Sequence, residues 1–225
     1  MVVLIGETTL KKVISVIAQV AIVLAILLLA RRWQKKGQQK AQTDVRKIFQ
    51  ELGGTWSIQE GNKVIMVEGN YQGRTITIIL SFEGKMQYVA TDYISTSRYK
   101  PTLEITLPNK MNIGDGSTLI FRKGHVHEVR SMPKFKMTDF QYYETNSKAF
   151  DEKFFVKTTN LTQAQNIMNP YRTDLLLKKL DKNLNYTILK ITGNQIIYYE
   201  DTSVENTLTK TAIVDTLDFL VKLVG

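Results

Sequence analysis

Hydrophobic positions follow three different periods along the chain. From Val13 to Ala30 (VISVIAQVAIVLAILLLA) every position but Ser15 and Gln19 is apolar, so no helical face is polar. As a helix this stretch would be about 27 Å long, close to the hydrocarbon thickness of a bilayer, and a helix satisfies its own backbone in lipid. Its apolar run is longer than that of a secretion signal, and no small-x-small cleavage site follows it. The expectation is an uncleaved transmembrane helix over 13–30, with an N-terminal tail over 1–12 and a basic juxtamembrane linker over 31–42.

A helical period then takes over. Val45, Ile48, Phe49 and Leu52 fall at i, i+3, i+4 and i+7, which predicts an amphipathic helix capped by Thr43 and ended by Gly53-Gly54. From Thr55 the period is two. Strands are expected at 55–60, 63–68, 74–82 and 86–94, with turns at Gly61-Asn62, Gln72-Gly73 and Glu83-Gly84, a four-stranded antiparallel meander. Further strands are expected at 102–107 and 118–122, with short ones inside 139–144 and 153–157; residues 123–138 are irregular. Asn160 or Thr162 should cap a helix to Met168, and a second helix over 171–182 buries Leu175, Leu176 and Leu180. A hairpin about Gly193-Asn194 and a terminal helix with Ile213, Leu217, Leu220 and Val224 on one face complete the chain. The fold class expected is α+β: one N-terminal transmembrane helix followed by an antiparallel-sheet domain with flanking helices. That soluble α+β domain would occupy 43–225, as one body or as two subdomains, 43–145 and 146–225.

Charge sharpens the membrane reading. Of the net +9, six charges lie in residues 31–50, and residues 51–225 are nearly balanced. Arg31, Arg32, Lys35, Lys36 and Lys40, with the interfacial ring of Trp33, are candidates for contact with a bilayer carrying anionic head groups. The more basic flank is expected in the cytoplasm, giving a single-pass cell-membrane protein, N-terminus out and C-terminal domain in. A nucleic-acid partner is not expected, because such a face needs its charge on the folded domain. There is no cysteine, so disulfides and thiolate chemistry are excluded.

A second basic segment holds Arg122, Lys123, Arg130, Lys134 and Lys136, with Met132, Pro133 and Phe135 between them. Facing a bilayer it would add a further membrane contact, and otherwise it is an exposed loop. His125 and His127 are the only histidines. At i, i+2 on a strand they would share a face, a weak metal candidate with no third ligand near by. The adjacent acids Asp151-Glu152 and Glu200-Asp201 would diverge on strands and are read as solvated. No nucleophile-elbow, phosphate-loop, dinucleotide or zincin motif occurs, and no cofactor is expected.

The run Val67-Glu68-Gly69-Asn70-Tyr71-Gln72-Gly73-Arg74 resembles a G-x-Y-x-G-R strand–turn–strand signature. Phe150-Asp151-Glu152-Lys153-Phe154-Phe155-Val156 is similar to an F-D-x-x-F-x-V strand. Together with the helices, hairpin and terminal helix that follow, residues 50–225 resemble a loosely defined group of uncharacterised prokaryotic, often membrane-anchored proteins with an α+β domain. The resemblance implies a fold and no activity. Function is expected to be that of a single-pass membrane-anchored binding or scaffold domain, not an enzyme, with another membrane protein as partner. The alternatives are an unrecognised enzyme at the membrane surface and an extracytoplasmic domain on a signal anchor.

Overall fold

The computed structural model describes residues 39, 43, 45–52, 56–61, 64–81, 102–111, 113–126, 129, 132–136, 138–182, 186–201 and 209–225. Asp44–Gly225 is one compact unit. Within it the strands are β1 (Trp56–Glu60), β2 (Val64–Tyr71), β3 (Arg74–Ser81), β4 (Thr102–Pro108), β5 (Ser117–Arg122), β6 (Gln141–Tyr143), β7 (Phe154–Thr158), β8 (Tyr186–Thr192) and β9 (Gln195–Asp201). They form a nine-stranded sheet in the order β1-β2-β3-β4-β9-β8-β5-β7-β6, and each pairing is antiparallel. The helices are α1 (45–52), α2 (Lys148–Asp151), α3 (Leu161–Ile167), α4 (Pro170–Lys182) and α5 (Lys210–Val224).

Alternation explains the main core. Ile76, Ile78 and Leu80 of β3 and Leu103, Ile105 and Leu107 of β4 lie on one face, as residues two apart must. The same core takes Val45, Ile48 and Phe49 from α1, Leu176 and Leu180 from α4, and Ile213, Leu217 and Leu220 from α5. β8 departs from alternation, with four buried residues in a row from Tyr186 to Leu189. Leu189 and Ile191 enter the main core, whereas Tyr186 and Ile188 enter a second cluster with Leu119, Phe121 and Tyr199. A strand covered on both faces reads as continuously apolar.

The expected leading architecture is corrected. The described fold is mostly sheet, and among the described residues no helix is long and apolar enough to cross a membrane. The longest of the described helices, α5, has 15 residues and carries Asp215, Asp218 and Lys222, so it covers the sheet with one face only. The stretch 13–30 and the linker 31–42, apart from Gln39, lie outside the described residues. The two stretches 43–145 and 146–225 share one sheet, since β8 and β9 insert between β4 and β5.

Two local expectations are corrected, and the choice between two caps is decided. Thr43 is itself helical, and its hydroxyl donates to the Gln39 carbonyl at 3.0 Å instead of capping. The neighbour of β3 is β4, with Ser81 opposite Thr102, so the meander does not close on 86–94, which lies outside the described residues. Asn160 caps α3, its side-chain oxygen accepting from the Gln163 N–H at 3.1 Å.

The turn expected at Gln72-Gly73 is present, both residues having positive φ (51° and 76°), which the twist of a two-residue hairpin requires. Asn70 accepts from the Gly73 N–H at 2.9 Å. Beyond the turn, the Tyr71 hydroxyl donates to Asp218 at 2.7 Å and Arg74 donates to the Gly225 carbonyl at 3.3 Å, tying the hairpin to α5.

Ile105 sits in β4 with no exposed surface. Ile105→Ala should cost about 2–5 kcal/mol, because the transfer loss is compounded by the cavity left in a packed core. Urea titration checks this: the midpoint falls with an unchanged slope, while Thr75→Ala on the exposed face of β3 stays within about 0.5 kcal/mol of the parent.

Candidate functional site

The pairing of β6, β7 and β5 collects aromatic and lysine side chains on one surface. Tyr142 stands opposite Lys157, Lys157 opposite Leu119, and Phe155 opposite Phe121. Cross-strand partners point the same way, so these five side chains share a face, opposite the helices. Ring centroids run in a chain: Phe121 to Phe155 at 5.8 Å, Phe155 to Tyr142 at 5.1 Å, and Tyr142 to Phe140 at 5.6 Å. The Lys157 ammonium lies 4.1 Å from the centre of Phe140, 5.3 Å from Tyr142 and 5.4 Å from Phe121. Lys123 lies 4.9 Å over Phe155.

Lys157 is only 5% exposed, whereas Phe140 and Tyr142 are 37% and 49% exposed. Withdrawing an ammonium from water is costly unless something replaces the water, and ring faces do so at about 0.5–2 kcal/mol for each good contact. Lys157 therefore acts as a post against which two outward-facing aromatic rings are held. Rings so positioned offer contact area to a partner at little further entropic cost.

The second basic segment lies beside this surface but divides between two faces. Lys123–His125 and Pro133–Phe135 are single turns of 3-10 helix, and Val129, Met132 and Phe135 turn inward to cover Leu119, Phe121, Tyr186, Ile188 and Tyr199. Met132 and Phe135, expected to meet a bilayer, are thus part of the core, while Pro133 is exposed. Lys123 and Lys136 are exposed. Lys134 pairs with the Glu104 carboxylate and lies 5.0 Å over the Tyr199 ring, while Lys190 donates to the Lys134 carbonyl at 2.9 Å. Arg122 is on the helical side, donating to the carbonyls of Leu180 and Asp181 at the end of α4 and lying over Phe154. Arg130 is outside the described residues, as are Arg31, Arg32, Trp33, Lys35, Lys36 and Lys40.

The strand geometry expected for the histidines is corrected. His125 ends a 3-10 turn with its ring edge-on to Tyr186 at 4.9 Å, and His127 is outside the described residues. Among the described residues no group of three or more His, Asp or Glu side chains could hold a metal. Nor are the two acid pairs simply solvated. Asp151 accepts from the Thr145 N–H and hydroxyl, and Glu200 is buried with the Tyr198 hydroxyl donating to it at 2.6 Å.

Two other polar groupings have structural partners. Lys179 of α4 donates to Thr216 of α5 at 2.9 Å, and burial pulls its pKa down against the opposing pull of Glu200 and Asp215. A shallow recess of about 590 Å³ is lined by Met111, 113–116 and 192–194, and its Gly114, Asp115 and Thr192 carbonyls already accept from Gln163, Asn160 and Asn109. No protein-family model matches this chain, and no curated protein matches it.

Phe140, Tyr142, Phe155 and Lys157 were not singled out by the sequence analysis. The signal was present in DFQYYE, with Phe140 and Tyr142 two apart, and in the Phe155 and Lys157 of KFFVK, but the register that sets Tyr142 opposite Lys157 joins strands parted by the segment with α2.

Two predictions follow from this geometry. Lys157→Ala should destabilise the domain by about 2 kcal/mol, through lost ring contacts and lost packing of the lysine stem. Lys157→Arg should retain most of that stability in the same urea titration, because a guanidinium also stacks on rings. The second concerns Tyr199, whose hydroxyl is pushed up to about 12, first by burial and then by the charges of Asp201 and Glu104, against a hydrogen bond with Thr102. Its folded-state pKa exceeds the ordinary value near 10, so the folded chain holds more protons than the unfolded chain between those values. Stability should therefore fall as pH rises from about 10 to 12, and Tyr199→Phe should flatten that slope and remove a step near pH 12 from the tyrosinate absorbance titration.

Proposed function

We propose that this chain is a binding subunit that works at a membrane. On this reading the apolar segment 13–30 and the basic residues after it hold the chain to a bilayer with anionic head groups. The domain then presents a contact surface to another membrane protein, as scaffold or accessory subunit. The observation that carries it is the pair of outward-facing rings, Phe140 and Tyr142, braced by the buried Lys157 at the edge of a rigid sheet. Aromatic side chains fixed in advance are the residue types on which interface energy concentrates. The charge distribution supports the membrane half, since most of the net positive charge adjoins the apolar segment and not the domain.

Purification of the full chain from detergent-solubilised membranes tests the reading. A partner in fixed stoichiometry is expected, lost on Tyr142→Ser. A solitary monomer that retains nothing through several gentle detergents would count against it.

A further inference from the structure

We infer that, until a protein partner engages it, the ring-and-lysine surface around β6 and β7 rests on the anionic head groups of the bilayer that holds the chain, turning the domain to a fixed orientation. The inference rests on the membrane placement proposed above. Three observations lead to it.

First, the exposed groups suit a bilayer surface. Phe140 and Tyr142 project from the sheet edge beside exposed Lys123, whose ammonium lies over Phe155, and exposed Lys136 stands four residues before Phe140; amphipathic rings beside lysines are what an interfacial contact needs. Second, these are lysines and not arginines, point charges that meet a layer of head groups without demanding forked geometry. The domain's near-neutral balance also argues against a nucleic acid, whose binding needs many phosphate contacts. Third, only residues 31–43 separate the apolar segment from the domain, so the domain stays within roughly 45 Å of the bilayer. Tethering of this kind turns a weak surface contact into an intramolecular one with a high effective concentration.

The correction to the basic segment sets the contact residues. Arg122 is spent on α4, Lys134 on Glu104, and Met132 and Phe135 on the second core. Phe140 and Tyr142 supply the apolar part in their place, and Lys123 and Lys136 the charge.

The natural chain has no cysteine, so a single introduced thiol reports one position without background. Full-length chain with Thr138→Cys, two residues before Phe140, is labelled with a polarity-sensitive dye and reconstituted into vesicles. One vesicle set is phosphatidylcholine alone, and the other contains phosphatidylserine. Thr75→Cys on β3, in the half of the sheet distant from β6, serves as the remote position. The expected result is a blue shift at 138 only with phosphatidylserine, and no shift at 75 with either lipid. Lys123→Gln and Lys136→Gln should each lower the docked fraction roughly fivefold. They change exposed side chains only, and an unaltered thermal melt verifies the fold.

Equal emission at 138 in the two vesicle types overturns the inference. So does a shift seen in native membranes but absent with pure lipid, which would assign the surface to a protein partner alone. Flotation separates the two levels of the argument. Chain that fails to float with vesicles overturns the membrane placement and this inference together, whereas chain that floats without a shift at 138 overturns this inference only.

Discussion

The centre of the sheet is covered on both sides, and that constraint organises the rest of the domain. β8 cannot be solvated on either face, because Leu189 and Ile191 point one way and Tyr186 and Ile188 the other. Helices close one face. The other is closed by Val129, Met132 and Phe135 of the second basic segment. That segment is rich in lysine and arginine because its outward positions must remain in water while its apolar positions form the lid.

The placement of β8 and β9 follows from the same requirement. They arise late in the chain yet lie between β4 and β5, so Thr102 pairs with Asp201 and Ser117 with Thr192. Non-local pairing of this kind orders much of the chain before its contacts offset the entropy, so the two halves of 43–225 are expected to fold together. The G-x-Y-x-G-R run gains a physical account here. Gly73 supplies the left-handed turn, Tyr71 reaches Asp218, and Arg74 reaches the last carbonyl, so the run fastens the β2–β3 hairpin to α5. Burial, reinforced by the hydrogen bond to Asp218, raises the Tyr71 pKa.

The aromatic surface arises from an economy of the same architecture. At the edge of the sheet the second face has only β6 to cover Lys157, and the aliphatic stem of the lysine fills the space that a core residue fills nearer the centre. Its ammonium then needs partners, and the rings of Phe121, Phe140 and Tyr142 provide them. Two of those rings remain partly exposed because no further strand follows β6 among the described residues. The contact surface is thus a consequence of how the sheet ends.

What the sequence determined by itself is whatever depends on neighbours a few residues apart. The apolar periods located α1, α4 and α5 with most of their core-facing residues, and the β2–β3 and β8–β9 hairpins, because burial of one face imposes its period on the residues. It was equally clear about the absence of cysteine and the crowding of positive charge into 31–50. Strand order, the use of 102–108 in place of 86–94 beside β3, and the inward turn of Met132 and Phe135 were decided only by tertiary structure. So was the meeting of Tyr142 with Lys157, since a strand's pattern states which face is apolar but carries no address for the strand beside it.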